Sequence, residues 1–414
     1  EVVLTTETLA LNADTSAGIS ARGMAMSVND ALTATVGSAT TVTSTDVNVD
    51  AGDDITLSGV DAAKVEMATV QVTTASGLTA EVGTETSVVS QALKVDVVSD
   101  TKVSTADMAL EASGTMSVSG QESLTVSAGT VALDAAQDGT IRMGGDAVLA
   151  AGDGIRMASV TALDVVTGGT ASVISNELDV SVDSAVRGSM DSLSVGVSDD
   201  ATVSVGDDLT VNAKDVRVRG EGDFDLRTSG AGTVSSNSVD MSVDAGLSVS
   251  AGGAVGITSA SVDVSSSTSV AVSTGSLSLD SAAATEVFSG TSLTATTTTL
   301  EAHSAEDTAL TAGGRVTTTS ADATVNVGDT LDVSAANTRV RNSGVVDVFA
   351  KEGTRLTSTD MAMSVGDEVQ ILGGNEVVLT TETLALNADT SAGISARGMA
   401  MSVNDALTAT VGSA

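Results

Sequence analysis

Apolar and polar residues alternate in short segments along the whole chain, and most segments end in small or acidic residues. The stretch 247–282 shows the pattern as LSVSAGGA, VGITSAS, VDVSSSTS, VAVSTGS and LSLDSA. Alternation with a period of two is typical of β-strands, and clusters of Ser, Gly, Asp and Thr are typical of turns. The pattern therefore predicts short strands joined by tight corners, with the first and third residues of each segment facing an apolar interior.

Averaged over the chain, the lengths of three successive segments sum to 23, and the phase is kept within about one residue although single segments contain seven or eight residues. Apolar residues consequently recur every 23 positions. The clearest series are Leu9, Leu32, Ile55 and Leu78; Met24, Val47, Val70 and Leu93; Ile19, Val42, Val65 and Val88; and Leu193, Val216, Val239 and Val262. Such a period predicts an all-β fold, a three-sided parallel β-solenoid (β-helix) with about 23 residues per coil, in which residue i stacks on residue i+23.

The same phase predicts which side chains fill the interior. They include Leu9, Leu11, Ile55, Leu57, Leu124, Phe224, Leu247, Val249, Val262 and Val264. The other two phenylalanines, Phe288 and Phe349, are out of phase, which indicates a locally shifted register or packing at a corner, or else an outward position that contacts another fibre. Methionines of the MAMSV segments (Met24, Met26, Met361 and Met363) are predicted to fill gaps in the core, because Met is flexible and apolar.

The first 39 residues return without a change as residues 376–414. We therefore interpret 1–375 as one β-solenoid repeat unit and 376–414 as the start of the next identical tandem unit in the same continuous solenoid. Since 375 is sixteen coils plus seven residues, each copy should begin one face further round. A duplicated unit of this length indicates material that builds length.

The repeat style resembles that of β-solenoid (β-helix) fibre proteins. Apolar-x-apolar-x-Ala-Gly segments of about eight residues are also similar to the β-prism shafts of phage tail needles and type VI secretion spike proteins. That second resemblance implies an alternative fold, an intertwined trimeric triple-stranded β-helix in which each chain crosses all three faces. The 23-residue columns favour the single-chain solenoid, since strict octads would suit the trimer better.

Composition narrows the function classes. The chain has 414 residues, 42% of them hydrophobic, with no Pro, Cys, Trp or Tyr, and its mean hydropathy is +0.27. Such a chain should fold, without disulfides or thiol chemistry. The formal net charge of −37 argues against nucleic-acid binding, which requires a basic surface. No apolar run reaches the roughly 18 residues of a membrane span.

Acidic turns recur as AGDD (51–54), AGDG (151–154), VGDD (205–208), VGDT (327–330) and VGDE (365–368). Gly-Asp at these corners predicts a positive φ and a local Asx-type hydrogen bond. Clustered carboxylates also suit hard cations, so loose binding of Ca²⁺ or other divalent cations stays open, with no metal ligand assigned. No other cofactor is expected.

Two further features are candidates for a site. Thr33, Thr56, Thr79 and Thr125 form a column, interrupted by Lys102, that resembles the threonine ladders of ice-binding β-helices; Thr also simply suits an exposed strand. His303 has no nucleophile or second His near it in sequence, and we interpret it as a core or corner residue. No catalytic or cofactor-binding residue is predicted, so we do not expect an enzyme.

These features favour a structural repeat of a long extracellular or cell-surface filament, built by tandem, head-to-tail coils. The expected partner is the chain itself, through coil stacking and lateral bundling, with no nucleic acid and no membrane span in this stretch. The alternative is an adhesin-type stalk or a trimeric spike or tail-fibre shaft that presents a distal domain.

Overall fold

A computed structural model describes residues 85–159 and 162–411, and within 1–84 it describes the strands and some of their side chains. The chain divides into two compact units, Glu1–Asp207 and Asp208–Ala414. In both units the described residues form β-strands, bends and short connections, without a helix. Each unit is thus all-β.

The first unit contains the following strands: β1 Val2–Thr6, β2 Leu9–Ala13, β3 Ala17–Ser20, β4 Gly23–Val28, β5 Leu32–Val36, β6 Thr40–Thr43, β7 Asp46–Ala51, β8 Ile55–Gly59, β9 Ala63–Glu66, β10 Thr69–Thr74, β11 Leu78–Val82, β12 Glu85–Ser90, β13 Ala92–Val97, β14 Thr101–Ser104, β15 Asp107–Ala112, β16 Met116–Gly120, β17 Leu124–Ala135, β18 Gly139–Met143, β19 Ala147–Ser159, β20 Ala162–Thr167, β21 Thr170–Ser175, β22 Glu177–Val182, β23 Ala185–Val197 and β24 Ala201–Val205.

The second unit contains these strands: β25 Leu209–Gly220, β26 Phe224–Thr228, β27 Gly232–Ser235, β28 Ser238–Val243, β29 Gly246–Ala251, β30 Ala254–Ser259, β31 Ser261–Ser266, β32 Ser269–Ser281, β33 Thr285–Ser289, β34 Ser292–Ser304, β35 Thr308–Ser320, β36 Asp322–Val327, β37 Thr330–Asn342, β38 Val346–Ala350, β39 Gly353–Val365, β40 Glu368–Gly373, β41 Glu376–Ala388, β42 Ser391–Ser395 and β43 Gly398–Val411. The longest strands, such as β32, β37 and β43, continue around a corner and contribute to two faces.

Strand pairing confirms the predicted coil. Leu9 lies beside Leu32, which lies beside Ile55, which lies beside Leu78, all in parallel register. The series that begin at Met24 and Ile19 are paired in the same way. In the second unit Val216 and Val262 lie on either side of Val239. Each unit is therefore a parallel β-solenoid in which residue i lies beside residue i+23, as the period predicts.

Local spacing departs from this period by one residue at a few places. The coil from Val88 to its partner Leu110 is one residue shorter, and the coil from Leu133 to its partner Met157 is one residue longer. The longer coil takes up its extra residue at a corner, where the register between β17 and β19 shifts. The strands on either side keep their phase, because a slip of one residue within a strand would turn its apolar side chains outward.

The interior contains the first residues of the segments, as predicted, and also many of their fifth residues, which the alternation did not predict. Ile55, Leu247 and Val262 are 2–3% exposed, and Phe224 and Val264 are also buried. Val249 is only half-buried, and the side chains of Leu9, Leu11 and Leu57 lie outside the described residues. The fifth residue of many segments, such as Ala251, is buried at the corner.

Candidate functional site at the corners and outward faces

Many of these buried fifth residues are Ser or Thr, and their hydroxyls link neighbouring coils. Ser289 Oγ lies 3.0 Å from the carbonyl oxygen of Thr268 in the preceding coil and 2.8 Å from that of Ser292 at the start of the next strand. The same arrangement occurs at Ser266, Thr274, Ser281, Thr297, Ser304, Ser358 and Thr381. A buried hydroxyl needs a partner, and here corner carbonyls supply it.

Corner aspartates also connect coils. Asp208 Oδ1 accepts a hydrogen bond of 2.8 Å from the backbone N–H of Ala231, and Asp223 Oδ1 accepts one of 2.7 Å from Gly246 N–H. Asp307 and Asp322 accept from the backbone of the next coil in the same way. These carboxylates therefore accept hydrogen bonds from the next coil, whereas the sequence predicts a hydrogen bond within the same turn. Carboxylate acceptors make comparatively strong hydrogen bonds.

The corner glycines correct another expectation. Among the described residues no glycine has a positive φ, so the predicted left-handed turn at Gly-Asp is wrong. Most of the AGDD turn at 51–54 lies outside the described residues. A Cβ on Gly328 would lie 1.8 Å from the carbonyl oxygen of Ala305, one coil earlier. Glycine is needed there because two backbones approach closely.

A column of carboxylates lies on one outward face of the second unit. Asp240, Asp263 and Glu286 are neighbours in register on successive strands. Partial burial, and then the charges of Asp240 and Glu286, raise the pKa of Asp263 above its ordinary value. Arg217 relieves only one end of the column, with its Nε 3.4 Å from Asp240 Oδ2.

Other outward charges form ion pairs between coils. Arg156 Nε lies 3.7 Å from Asp134 Oδ1, and Arg355 Nη1 lies 3.6 Å from Asp332 Oδ1.

Asp96 differs from Asp263: burial raises the pKa of its carboxyl, but hydrogen bonds from Lys94 and Ser119 and the Lys94 charge outweigh this and lower it. Such exposed pairs each contribute little to stability.

The residues singled out from the sequence fall at separate places. Phe288 and Phe349 are 48% and 43% exposed and keep the regular register, so the interpretation of a shifted register or corner packing is wrong and the outward alternative holds. Met26, Met361 and Met363 are buried in the core, while the side chain of Met24 lies outside the described residues. His303 is exposed on a strand between Asp280 and Asn326, so its assignment to the core or a corner is wrong: it is the fourth residue of its segment.

The threonine column is confirmed as a register: Thr33, Thr56, Thr79, Lys102 and Thr125 lie side by side. The charge of Lys102 interrupts it after three threonines. The side chains of Thr33 and Thr56 lie outside the described residues, so the structure gives the register of the column and not the hydroxyl surface that it would present.

A groove of about 880 Å³ follows one corner of the first unit. Its floor includes the buried corner residues Ser90, Ala112, Ala135 and Ser159, and Asp134 and Arg156 lie at its side. Asp134 is already paired with Arg156, and the lining contains no His. The groove is a consequence of small corner side chains.

Within the part of the chain that the structure describes, no group of three or more His, Asp or Glu side chains is arranged to hold a metal ion. The same part contains no helix long and apolar enough to cross a membrane. No family model, curated protein or solved structure matches the chain. The functional inference therefore depends on the solenoid itself.

Proposed function

We propose that the chain is a structural repeat of a long extracellular or cell-surface filament, in which coils stack head to tail and which acts without catalysis. The support is the combination of a regular coil with a segment that recurs unchanged. Coils that bind each other through corner hydroxyls and aspartates suit a shaft. The outward carboxylates would keep it hydrated, with divalent cations binding loosely.

The observation that carries this proposal is the edge formed by β43. Its side chains Met399, Met401, Leu407 and Val411 are 46–58% exposed. The identical residues of the first copy belong to β4 and β5, which β7 and β8 cover in register. Residues 376–414 thus have the sequence of a segment that accepts a further coil.

The test is to extend the chain after Ala414 by one coil with the sequence of 40–62, the stretch that follows the first copy. The extension should pair with β43 as β7 and β8 pair with β4 and β5. The amides of β43 that lack a strand partner should then exchange with solvent at least about tenfold more slowly, because local opening would cost more.

The matched control carries the sequence of 40–62 in reversed order, which places charged and apolar residues out of register. It should leave exchange in β43 unchanged. Equal protection by both extensions, or by neither, would contradict coil stacking. Immunogold labelling of intact and permeabilised cells tests the location: a filament label confined to the cell interior would rule out the surface assignment.

A further inference from the structure

One face of the second unit differs from the other two in charge. We name it the hydroxyl face; it is formed by β26, β29 and the parts 270–274, 293–297, 316–320, 338–342, 361–365, 384–388 and 407–411 of the later long strands. From β29 onward its outward residues are Ser248, Ser250, Ala271, Ser273, Thr294, Thr296, Thr317, Thr319, Arg339, Arg341, Ala362, Ser364, Ala385, Asn387, Thr408 and Thr410. None of these sixteen is buried and none is acidic.

One carboxylate, Asp225 on β26, lies in the same column beside Ser248 and is paired with Arg227. Other carboxylates belong to the corners that precede the strands. Asp360 is one of them, and it accepts a hydrogen bond of 2.5 Å from Thr383 Oγ1 of the next coil. Asp405 lies at the equivalent edge of a later strand. The columns themselves are therefore free of acidic side chains from β29 onward.

The other two faces of the same unit carry carboxylates at the equivalent positions. On one face these are Asp240, Asp263, Glu286 and Asp332, and on the other Asp280, Glu301 and Asp347. Two copies of a chain with a net charge of −37 repel each other. Repulsion is least where carboxylates are absent, so the hydroxyl face is the side on which two copies can approach most closely.

Arginines add attraction on this face. Arg339 and Arg341 are exposed neighbours on one strand, and Arg315 is exposed on the adjacent strand. No described acidic side chain of the same chain forms an ion pair with any of the three. On an acidic molecule an unpaired guanidinium lowers the repulsion between two copies at this face, and its N–H groups can donate to hydroxyl oxygens of the other copy.

Shape and area also fit a second copy. The outward side chains, apart from the two arginines, are small, and they lie in two columns on strands in parallel register. Eight strands at about 4.8 Å and a strand length of about 17 Å give roughly 600 Å² per copy. The total of about 1,200 Å² is at the lower limit of stable protein interfaces.

We propose that the hydroxyl face is the lateral docking surface for a second copy of this chain, with the two hydroxyl faces packed against each other. The inference rests on the proposed fibre function and deepens it by assigning the face that joins two shafts. Packing the same patch on both copies would form a closed pair by two-fold symmetry.

Sedimentation velocity over a concentration series at physiological salt tests this proposal. The unaltered chain should form a concentration-dependent dimer. The double variant Thr294→Glu/Thr296→Glu should raise the dissociation constant at least about tenfold, because it adds unpaired carboxylates to the interface. Arg339→Glu should also weaken the dimer, and Arg339→Lys should weaken it less.

The matched control is Thr311→Glu/Thr357→Glu, which adds the same charges at outward positions of the face that contains Asp263. It should change the dissociation constant less than about threefold. A chain that stays monomeric up to about 100 μM, or a control that weakens association equally, would overturn the proposal. The coil itself is checked separately by the distance between spin labels at Ser242→Cys and Thr380→Cys of one chain, which a lost lateral contact would leave unchanged.

Discussion

The two copies of the 39-residue segment have the same sequence but different burial. Met26 and Leu32 in the first copy are 9% and 3% exposed, whereas the identical Met401 and Leu407 in the second are 46% and 58% exposed. Leu32 lies between Leu9 and Ile55, whereas Leu407 pairs with Leu384 alone among the described residues. The difference is one neighbouring coil.

This comparison shows that a coil of this fold gains its core from the coils that flank it. Burying a Leu side chain contributes about 1.5–3 kcal/mol, and an uncovered strand gains only part of that. Stability should therefore increase with each added coil, as in other repeat proteins whose units contact only their neighbours.

The same substitution in the two copies should give the largest difference in stability. Leu32→Asp buries an unpaired carboxylate and should cost about 3–5 kcal/mol of local stability. Leu407→Asp is solvated and should cost less than about 1 kcal/mol. Hydrogen exchange of β5 and β43 measures the local free energies of opening.

The two variants control each other, since their flanking sequences are identical. Leu124→Asp, in a buried position of the same unit as Leu32, should resemble Leu32→Asp. Equal costs at Leu32 and Leu407 would mean that burial by the next coil does not determine stability.

Two glycine substitutions test how closely the backbones of neighbouring coils approach each other. The new methyl group of Gly328→Ala would meet the Ala305 carbonyl of the preceding coil, and overpacking of this kind costs about 1–3 kcal/mol. Gly256→Ala has no atom within 4 Å of the new Cβ and should be neutral or stabilising by up to about 1 kcal/mol. Urea unfolding of both variants measures the difference; similar midpoints would contradict the close approach at Gly328.

The smallest predicted effect concerns charge and pH. Because the pKa of Asp263 is raised in the fold, ionisation of this carboxyl opposes folding. Its contribution is most favourable below the unfolded-state pKa of about 3.9 and is lost as the pH rises through the folded-state pKa. Asp263→Asn should therefore be more stable than the unaltered chain at pH 7, by less than about 1 kcal/mol because solvent screens the site.

The gain from Asp263→Asn should shrink as the pH falls through the raised folded-state pKa, and it should vanish below the unfolded-state pKa of about 3.9, where the carboxyl is protonated in both states. Thermal unfolding at pH 7 and pH 3 measures it. Asp96→Asn is the opposite case: its lowered pKa makes ionisation favour folding, so that variant should be less stable at pH 7. A gain from both substitutions would contradict the assigned environments.

The sequence was sufficient to predict the 23-residue coil, because a period that persists over many coils determines which residues of neighbouring strands pair. It also placed Phe224 inside, but it did not decide between a shifted register, a corner and an outward position for Phe288. It did not show that fifth residues such as Ser289 are buried, since a small hydroxyl residue looks equally suited to a turn. Nor could it show that Gly328 faces a carbonyl one coil earlier, which depends on how closely two corners approach.

The hydroxyl face was likewise not visible in the chain read end to end. Thr294 and Thr317 belong to ordinary polar strand positions, and the absence of carboxylates beside them is seen only when outward residues are sorted into columns. His303 was misplaced for a simpler reason: its segment LEAHS puts it in the fourth position, which faces outward.

The distance between two spin labels in one chain shows whether residue i lies beside residue i+23 of the same chain. The chain contains no cysteine, so Ser242→Cys and Thr380→Cys can be spin-labelled selectively. These residues are six coils apart in one column. Measured by electron paramagnetic resonance in an excess of unlabelled chain, their separation should be about 29 Å, at about 4.8 Å per coil. A separation about three times as long would contradict the solenoid and indicate the intertwined trimer.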